Sequence, residues 1–240
     1  AGGIENYKVE THNLESNITT GAWRAPITNF LAIAEQSFFD EVAGEMGVDA
    51  VQLRLDILER AKTNPVGKID YDPEKMIGVI NLAAEKGNWS NPEAGVSKGF
   101  SAYYSHNTYV AEVANASMRS GVPKIDKVIC AVDCGIVVNP DAAINQIQGG
   151  VVDGVGHAMY GDFSFVDGTP QANNFDKYRL IRSKEAPAVD VFFVESLNDP
   201  TGLGEPSLPP AGGAVANAYA KATGNRFYKI PFMKETITVG

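Results

Sequence analysis

Cysteine is almost missing from this 240-residue chain, Cys130 and Cys134 being the only two. Iron–sulfur clusters normally take four thiolates and zinc fingers add histidines at fixed spacing, so neither can be built from this chain. The pair reads as two buried small residues on a strand and its turn, in preference to a disulfide. Positive charge is short as well, with 20 Lys plus Arg against 29 Asp plus Glu, a net charge of -9 and a pI near 4.9. That balance argues against nucleic acid and anionic membrane surfaces as partners, since both select basic patches. Long apolar runs are absent: Val191-Phe192-Phe193-Val194 falls far below the roughly 20 residues of a membrane span. Ala1-Gly2-Gly3-Ile4 has neither an initiator Met nor the basic and apolar regions of a secretory leader, and the expectation is of a piece of something longer. What is present is 44% hydrophobic composition, enough for one large core or two modest ones.

Periodicity predicts a helix over 29–46, with Phe30, Ile33, Ala34, Phe38, Val42 and Met46 as its apolar stripe and Gly47 as its stop. Asp49, with Gln52 three residues on, makes a capping-box-like start for a second helix over 50–62. Asp72-Pro73 opens a third, which Gly87 closes. The Asn-, Pro- and Ser-rich stretch 88–95 reads as a linker. Beyond it, 96–119 and 124–138 are rich in β-branched and aromatic residues and read as two long antiparallel strands around Ser120-Gly121-Val122-Pro123. A helix follows over 141–160. Gly149, Gly150, Gly154 and Gly156 lie inside it, each costing about 1 kcal/mol relative to Ala, so something must approach that helix closely. A hairpin about Asp167-Gly168, a strand over 189–195 and a helix over 211–223 stopped by Gly224 complete the pattern. The predicted fold class is α+β, a mixed antiparallel sheet with packed helices. Residues 1–90 form a mainly helical segment with the Arg24 loop, and 91–240 an α+β domain with the Gln146 helix and the Glu205 loop.

One carboxylate stands out. Gly204-Glu205-Pro206, followed by Ser207-Leu208-Pro209-Pro210, puts Glu205 on a stiff loop before a small-residue helix, where a Gly allows close approach to a ligand and the prolines fix φ. Such a loop would hold a general base still; equally, Glu205 would favour the positive end of a helix dipole. Taken singly, Arg24 reads as a surface ion pair and Gln146 as an ordinary polar helix residue. Asp133 reads as the cap of a turn at Gly135. His106 and His157 lie on different elements without ligand spacing and read as structural.

Four segments in order carry a resemblance: Gly21-Ala22-Trp23-Arg24-Ala25-Pro26; Cys130-Ala131-Val132-Asp133-Cys134-Gly135 with Val138-Asn139-Pro140; Gln146 through Gly156; and Gly202-Leu203-Gly204-Glu205-Pro206. Together they resemble the molybdenum-binding subunit of the xanthine dehydrogenase and aldehyde oxidase superfamily, above all its isoquinoline 1-oxidoreductase β-subunit branch. The resemblance implies a molybdopterin-dependent hydroxylase in which Glu205 is the general base as a water-derived oxygen attacks an N-heterocycle or aldehyde carbon. It places Gln146, Gly149, Gly150 and Arg24 against the cofactor and Trp23 at the substrate pocket, with no residue of this chain bonded to the metal. The cofactor so implied is molybdopterin in its cytosine dinucleotide form, and [2Fe–2S] clusters reside on a small partner subunit. The N-terminal remainder of the same subunit is a further partner, and the compartment is the bacterial periplasm or otherwise the cytoplasm.

Departures from the pattern accompany the matches. A Met-Gly-Gln-Gly-type segment and a Phe-Gly loop, which hold the pterin and its dinucleotide in the family, do not occur here. Asp153 stands where relatives often carry Gln or Phe. The expectation is therefore of a C-terminal portion that supplies the base and one wall of the cofactor site. The alternative is a scaffold or subunit-docking domain of the same fold that has lost the cofactor, against which the presence of Glu205 argues.

Overall fold

The computed structural model describes residues 3–10 and 12–234. Three helices come first: α1 (Thr28–Met46), α2 (Ala50–Thr63) and α3 (Pro73–Lys86). Their ends are where the local chemistry puts them. Gly47 takes the left-handed conformation that closes α1, Asp49 accepts the Val51 and Gln52 N–H groups, and Asp72 with Pro73 starts α3. The capping box is only half made, because the Gln52 amide turns to Asp56 at 2.7 Å instead of reaching back.

Strands β1 (Val96–Ser105), β2 (Thr108–Arg119) and β3 (Val122–Asp133) form an antiparallel meander, and β6 (Ala188–Phe193) lies parallel to β3 at the far edge, giving the order β1-β2-β3-β6. The single strand expected over 96–119 is in fact a hairpin. His106 and Asn107, with φ of 53° and 59°, make the two-residue left-handed turn that matches strand twist. The polar run Ser105-His106-Asn107-Thr108 marks the turn, but it holds neither glycine nor proline. A small second hairpin, β4 (Phe165–Val166) and β5 (Thr169–Pro170), turns at Asp167-Gly168 as expected. Helices α4 (Pro140–Tyr160) and α5 (Leu208–Thr223) complete the chain, α5 starting three residues before the expected position because Pro209 and Pro210 fit its first turn.

Alternation along the strands divides the core into two layers. Phe100, Ala111, Val113, Ile129 and Ala131 face Val79, Ile80 and Ala83 of α3 and Val51 and Leu58 of α2. Val110, Val128, Cys130 and Val132 face Ile147, Val151 and Val155 of α4 and Val215, Ala218 and Tyr219 of α5. Burial on both faces accounts for the nearly unbroken apolar strands. The two cysteines are free and buried, as expected. Among the described residues no helix is long and apolar enough to cross a membrane.

Helix α1 departs from its sequence pattern. Its buried stripe is Asn29, Ala32, Gln36, Asp40 and Ala43, while Phe30, Phe38 and Met46 are more than half exposed. The cause is the helix it packs on. A Cβ on Gly212 would collide with Ile33, and one on Gly213 would lie 2.7 Å from Gln36 Cβ, so α1 and α5 meet at close range. Several polar groups at this contact are paired: Gln36 accepts from Arg54 at 3.0 Å and from the Ala102 N–H at 3.2 Å, and Asp40 Oδ2 accepts from Arg226 at 2.6 Å.

Glu112 is fully buried in the middle of β2, between Ser101 and Cys130 on the neighbouring strands. Cys130 Sγ donates to Oε1 at 3.5 Å, and Oε2 has no partner among the described residues. Burial holds this carboxyl well above its ordinary value of 4.5, so it is kept protonated. The folded chain thus binds a proton that the unfolded chain releases above that value, and stability falls as pH rises toward the folded one. Glu112→Gln, which keeps the shape without the ionisation, should therefore raise the unfolding midpoint at neutral pH and change it little near pH 4. Calorimetry at the two pH values checks it.

Candidate functional site

The loop before α1 lies along one face of α4. Residues 146, 150, 153 and 157 share that face by helical spacing, and the loop's side chains reach them in order. Arg24 Nε donates to the Gly204 carbonyl at 2.5 Å, and Nη2 donates to the Gln146 carbonyl at 3.1 Å and to Gln146 Oε1 at 3.4 Å. Among the described residues Arg24 makes no ion pair; its fork is spent on carbonyls of two elements, which clamps the Glu205 loop to α4. One turn further on, the Trp23 ring packs on His157 at 4.4 Å between centroids. Burial pushes the His157 imidazole down, with the Asp153 charge opposing it. Burial pushes the Asp153 carboxyl up, with the charges of Arg24 and His157 and the Trp23 indole opposing. Trp23 is 36% exposed, so this small cluster opens to the surface.

Glu205 sits where three elements converge. Its Oε1 accepts the Ala25 N–H at 3.2 Å, and Oε2 lies 3.1 Å from His106 Nε2 at the tip of the β1–β2 hairpin. Glu205 lies two residues before Ser207, the N-cap of α5, and the Leu208 N–H bonds its backbone carbonyl at 3.1 Å instead of the carboxylate. Ala25 holds a left-handed φ of 56°, and Ile27 one of 68°, conformations that cost of order 1–3 kcal/mol each for residues with a Cβ. The turn persists because Asn29 Nδ2 donates to the Arg24 carbonyl at 3.1 Å, and the Asn29 N–H to the Ala25 carbonyl at 2.9 Å. The Glu205 loop is tied down again by Thr108 Oγ1, 2.7 Å from Thr201 Oγ1 and donating to the Gly202 carbonyl at 2.8 Å. Asp133 accepts the Gly135 N–H at 3.1 Å, the turn-capping role expected of it.

Two glycines expected at the same contact part company. A Cβ on Gly150 would overlap Ser207 Oγ and come within 3.3 Å of the Arg24 guanidinium, so the close approach expected there is made by this chain's own Glu205 and Arg24 loops. Gly154 is likewise filled by Ala211 and Leu208 of α5, and Gly156 by Ile181. Gly149 differs, since a Cβ there would meet only Arg24 Nη1 at 3.7 Å, and the residue is exposed. Next to it, Gln146 is exposed and borders a cleft with Val138, Asn139, Thr201 and Leu203. A second cleft, lined by Phe39, Arg54, Tyr71, Tyr103 and Tyr104, contains none of the residues singled out from the sequence.

Sequence reading missed three contributors: the Ala25 N–H, which exists as a donor to Glu205 only because of a left-handed backbone; Asn29, hidden in a helix start; and His106, read as structural. No signal in the sequence linked positions 180 or 99 residues apart. Among the described residues no group of three His, Cys, Asp or Glu could hold a metal ion.

Comparison with known proteins gives the arrangement a family. The chain is 29% identical over 228 residues to a nicotinate dehydrogenase subunit of Pseudomonas putida, covering 86% of this chain and 18% of that protein. It is 29% identical over 204 residues to the beta subunit of isoquinoline 1-oxidoreductase of Brevundimonas diminuta, covering 82% and 25%. The chain therefore spans about a fifth to a quarter of these relatives' lengths. In fold it is similar to aldehyde oxidoreductase from Desulfovibrio gigas, with a TM-score of 0.66 over 90% of this chain and 41% of that one at 14% identity. Residues 43–187, more than half of the chain, match the molybdopterin cofactor-binding domain, and the chain belongs to that family.

Proposed function

We propose that this chain supplies the general base and one wall of the cofactor site in a molybdenum hydroxylase large subunit, an enzyme that hydroxylates an N-heterocycle or aldehyde with oxygen from water. The observation that carries the proposal is Glu205: a carboxylate on a clamped loop, bonded at Oε1 by the Ala25 N–H, approached to 3.1 Å at Oε2 by His106 from a separate element, and still 40% exposed. A residue serving only the fold would not be held so firmly while facing outward.

The residues present fit molybdopterin. Gly149 leaves a bare stretch of α4 backbone, with the Gln146 amide and the Arg24 guanidinium beside it, a polar and sterically open surface suited to a flat, hydrogen-bonding pterin. When bound, the molybdenum centre supplies a Lewis acid and a two-electron acceptor. Glu205 takes the proton that the attacking oxygen sheds as the new carbon–oxygen bond forms; its orientation is set by Ala25 and His106, so no rotation is needed at the moment of transfer. Arg24 holds the Glu205 loop at a fixed distance from Gln146, which keeps base and cofactor wall in register. Trp23 borders the same face of α4 and would contribute an aromatic surface to the substrate pocket.

Relatives named as subunits of dehydrogenase complexes support a partner arrangement. We extend it to a small iron–sulfur subunit that carries the electrons away, since this chain's two buried thiols cannot. The cytosine dinucleotide form of the cofactor, contacts with the N-terminal remainder of the large subunit and a periplasmic location belong to the same proposal. The test is oxidation of a quinoline-type heterocycle and of an aromatic aldehyde by the purified complete enzyme in ¹⁸O-water with an electron-accepting dye. Product carrying the label in proportion to the solvent is expected. Unlabelled product, or no oxidation of either class by enzyme with full molybdenum content, would overturn it.

A further inference from the structure

We propose that His106 is a positioning residue for Glu205, its Nε2–H holding the carboxylate by Oε2 while the Ala25 N–H holds Oε1; this rests on the reading of Glu205 as the general base. His106 Nε2 lies 3.1 Å from Oε2, and since an ionised carboxylate can only accept, a hydrogen bond across this approach places the proton on Nε2.

The hairpin does not itself call for an imidazole. His106 and Asn107 occupy the two left-handed positions of a turn, where Gly is easiest and Asn, Asp and His are all over-represented. Asn or Asp would serve this backbone as well, and the contact that the imidazole adds, among the described residues, is with the Glu205 carboxylate. The ring is only a third exposed, and the hairpin that bears it is locked to the Glu205 loop next door by the Thr108 contacts to Thr201 and Gly202. Hairpin, Arg24 loop and Glu205 loop thus meet at one carboxyl group, each from a different part of the chain. A base gripped at both oxygens presents its remaining lone pairs in one direction, which lowers the entropy lost in reaching the proton-transfer geometry.

Two substitutions separate positioning from folding. His106→Asn suits the left-handed turn but is too short to place a donor at Oε2, whereas His106→Gln extends an amide N–H to about the place of Nε2. In the complete enzyme, His106→Asn should lower kcat by about tenfold while KM stays within about twofold, the pattern of an interaction that matters in the transition state. His106→Gln should recover to within about threefold, with molybdenum content unchanged in both. Independently of activity, the chain has only three histidines, so ¹⁵N-histidine labelling of the 240-residue chain resolves the His106 ring. At alkaline pH the proton should reside on Nε2, and Glu205→Gln, which turns an amide N–H toward that nitrogen, should shift it toward Nδ1. Kinetics within twofold of the parent for His106→Asn, an equal loss in the Gln variant, loss of molybdenum in both, or a tautomer indifferent to Glu205→Gln would each overturn the proposal. If Glu205→Gln itself leaves turnover intact, the base assignment has failed; if Glu205→Gln abolishes turnover while His106→Asn does nothing, only the positioning role has.

Discussion

Glu205→Gln in the complete enzyme should lower turnover by at least about a hundredfold, the lower range for loss of a positioned general base, with fold and molybdenum content unchanged. The substitution preserves volume, and the amide oxygen can keep the Ala25 N–H, now 3.2 Å from Oε1. What it removes is proton affinity. The new amide N–H₂ would face His106 Nε2, and that ring can answer by moving its own proton to Nδ1, so the loop need not shift. The loop is in any case held from outside the carboxyl, by Arg24 on the Gly204 carbonyl and by Thr108 on the Gly202 carbonyl. The loss should therefore appear in kcat, with KM little affected, because the carboxylate acts on the attacking oxygen and not on the bound ring. Steady-state rates with a heterocycle and an aldehyde, normalised to molybdenum, check it. A fall of less than tenfold would remove Glu205 from the role of base.

How far the sequence reaches depends on the range of the interaction that decides each feature. Helix ends were legible because caps are local: Asp49, Asp72, Gly47 and Gly224 each act within a few residues. The α+β class was legible because strand and helix periods differ. The buried side of α1 was not, since its apolar stripe is a local pattern but the neighbour that selects the opposite side, Gly212-Gly213 of α5, lies about 180 positions away. The hairpin at His106-Asn107 was lost for another reason: its punctuation is the polar run Ser105-His106-Asn107-Thr108, without the glycine that usually marks a two-residue turn. For the site, the motifs identified Arg24, Gln146 and Glu205, and the structure brings these three together. It could not have been read from sequence that Arg24 is the clamp among them, or that a strained alanine amide bonds the carboxylate while a histidine lies 3.1 Å from its other oxygen. Those are contacts between loops, and loop register leaves no periodic trace.

Adjacent positions on α4 should give opposite results when leucine replaces glycine. Gly150→Leu should lower the unfolding midpoint of the 240-residue chain itself. Its Cβ would overlap Ser207 Oγ, which donates to the Ile147 carbonyl at 3.2 Å in a fully buried setting, and it would press on the Arg24 guanidinium. Relief means displacing Ser207 at the start of α5 or Arg24 from its carbonyls, and both movements loosen the Glu205 loop. Overpacking of this kind costs about 1–3 kcal/mol; at about 2–4 °C per kcal/mol that is a drop of about 2–12 °C, from which the better helix propensity of Leu returns part. Gly149→Leu meets no such obstacle, because its Cβ finds only Arg24 Nη1 at 3.7 Å and open space beyond. The chain should hold or gain about 1 kcal/mol from the helix propensity alone. In the complete enzyme the same side chain would stand on the bare backbone where the pterin is proposed to lie, and molybdenum content should fall severalfold. Thermal unfolding of the two variants and metal analysis of the assembled enzymes separate the roles: an unstable Gly149→Leu chain would make both glycines part of the core, and a stable one that keeps full molybdenum would take Gly149 out of the cofactor wall.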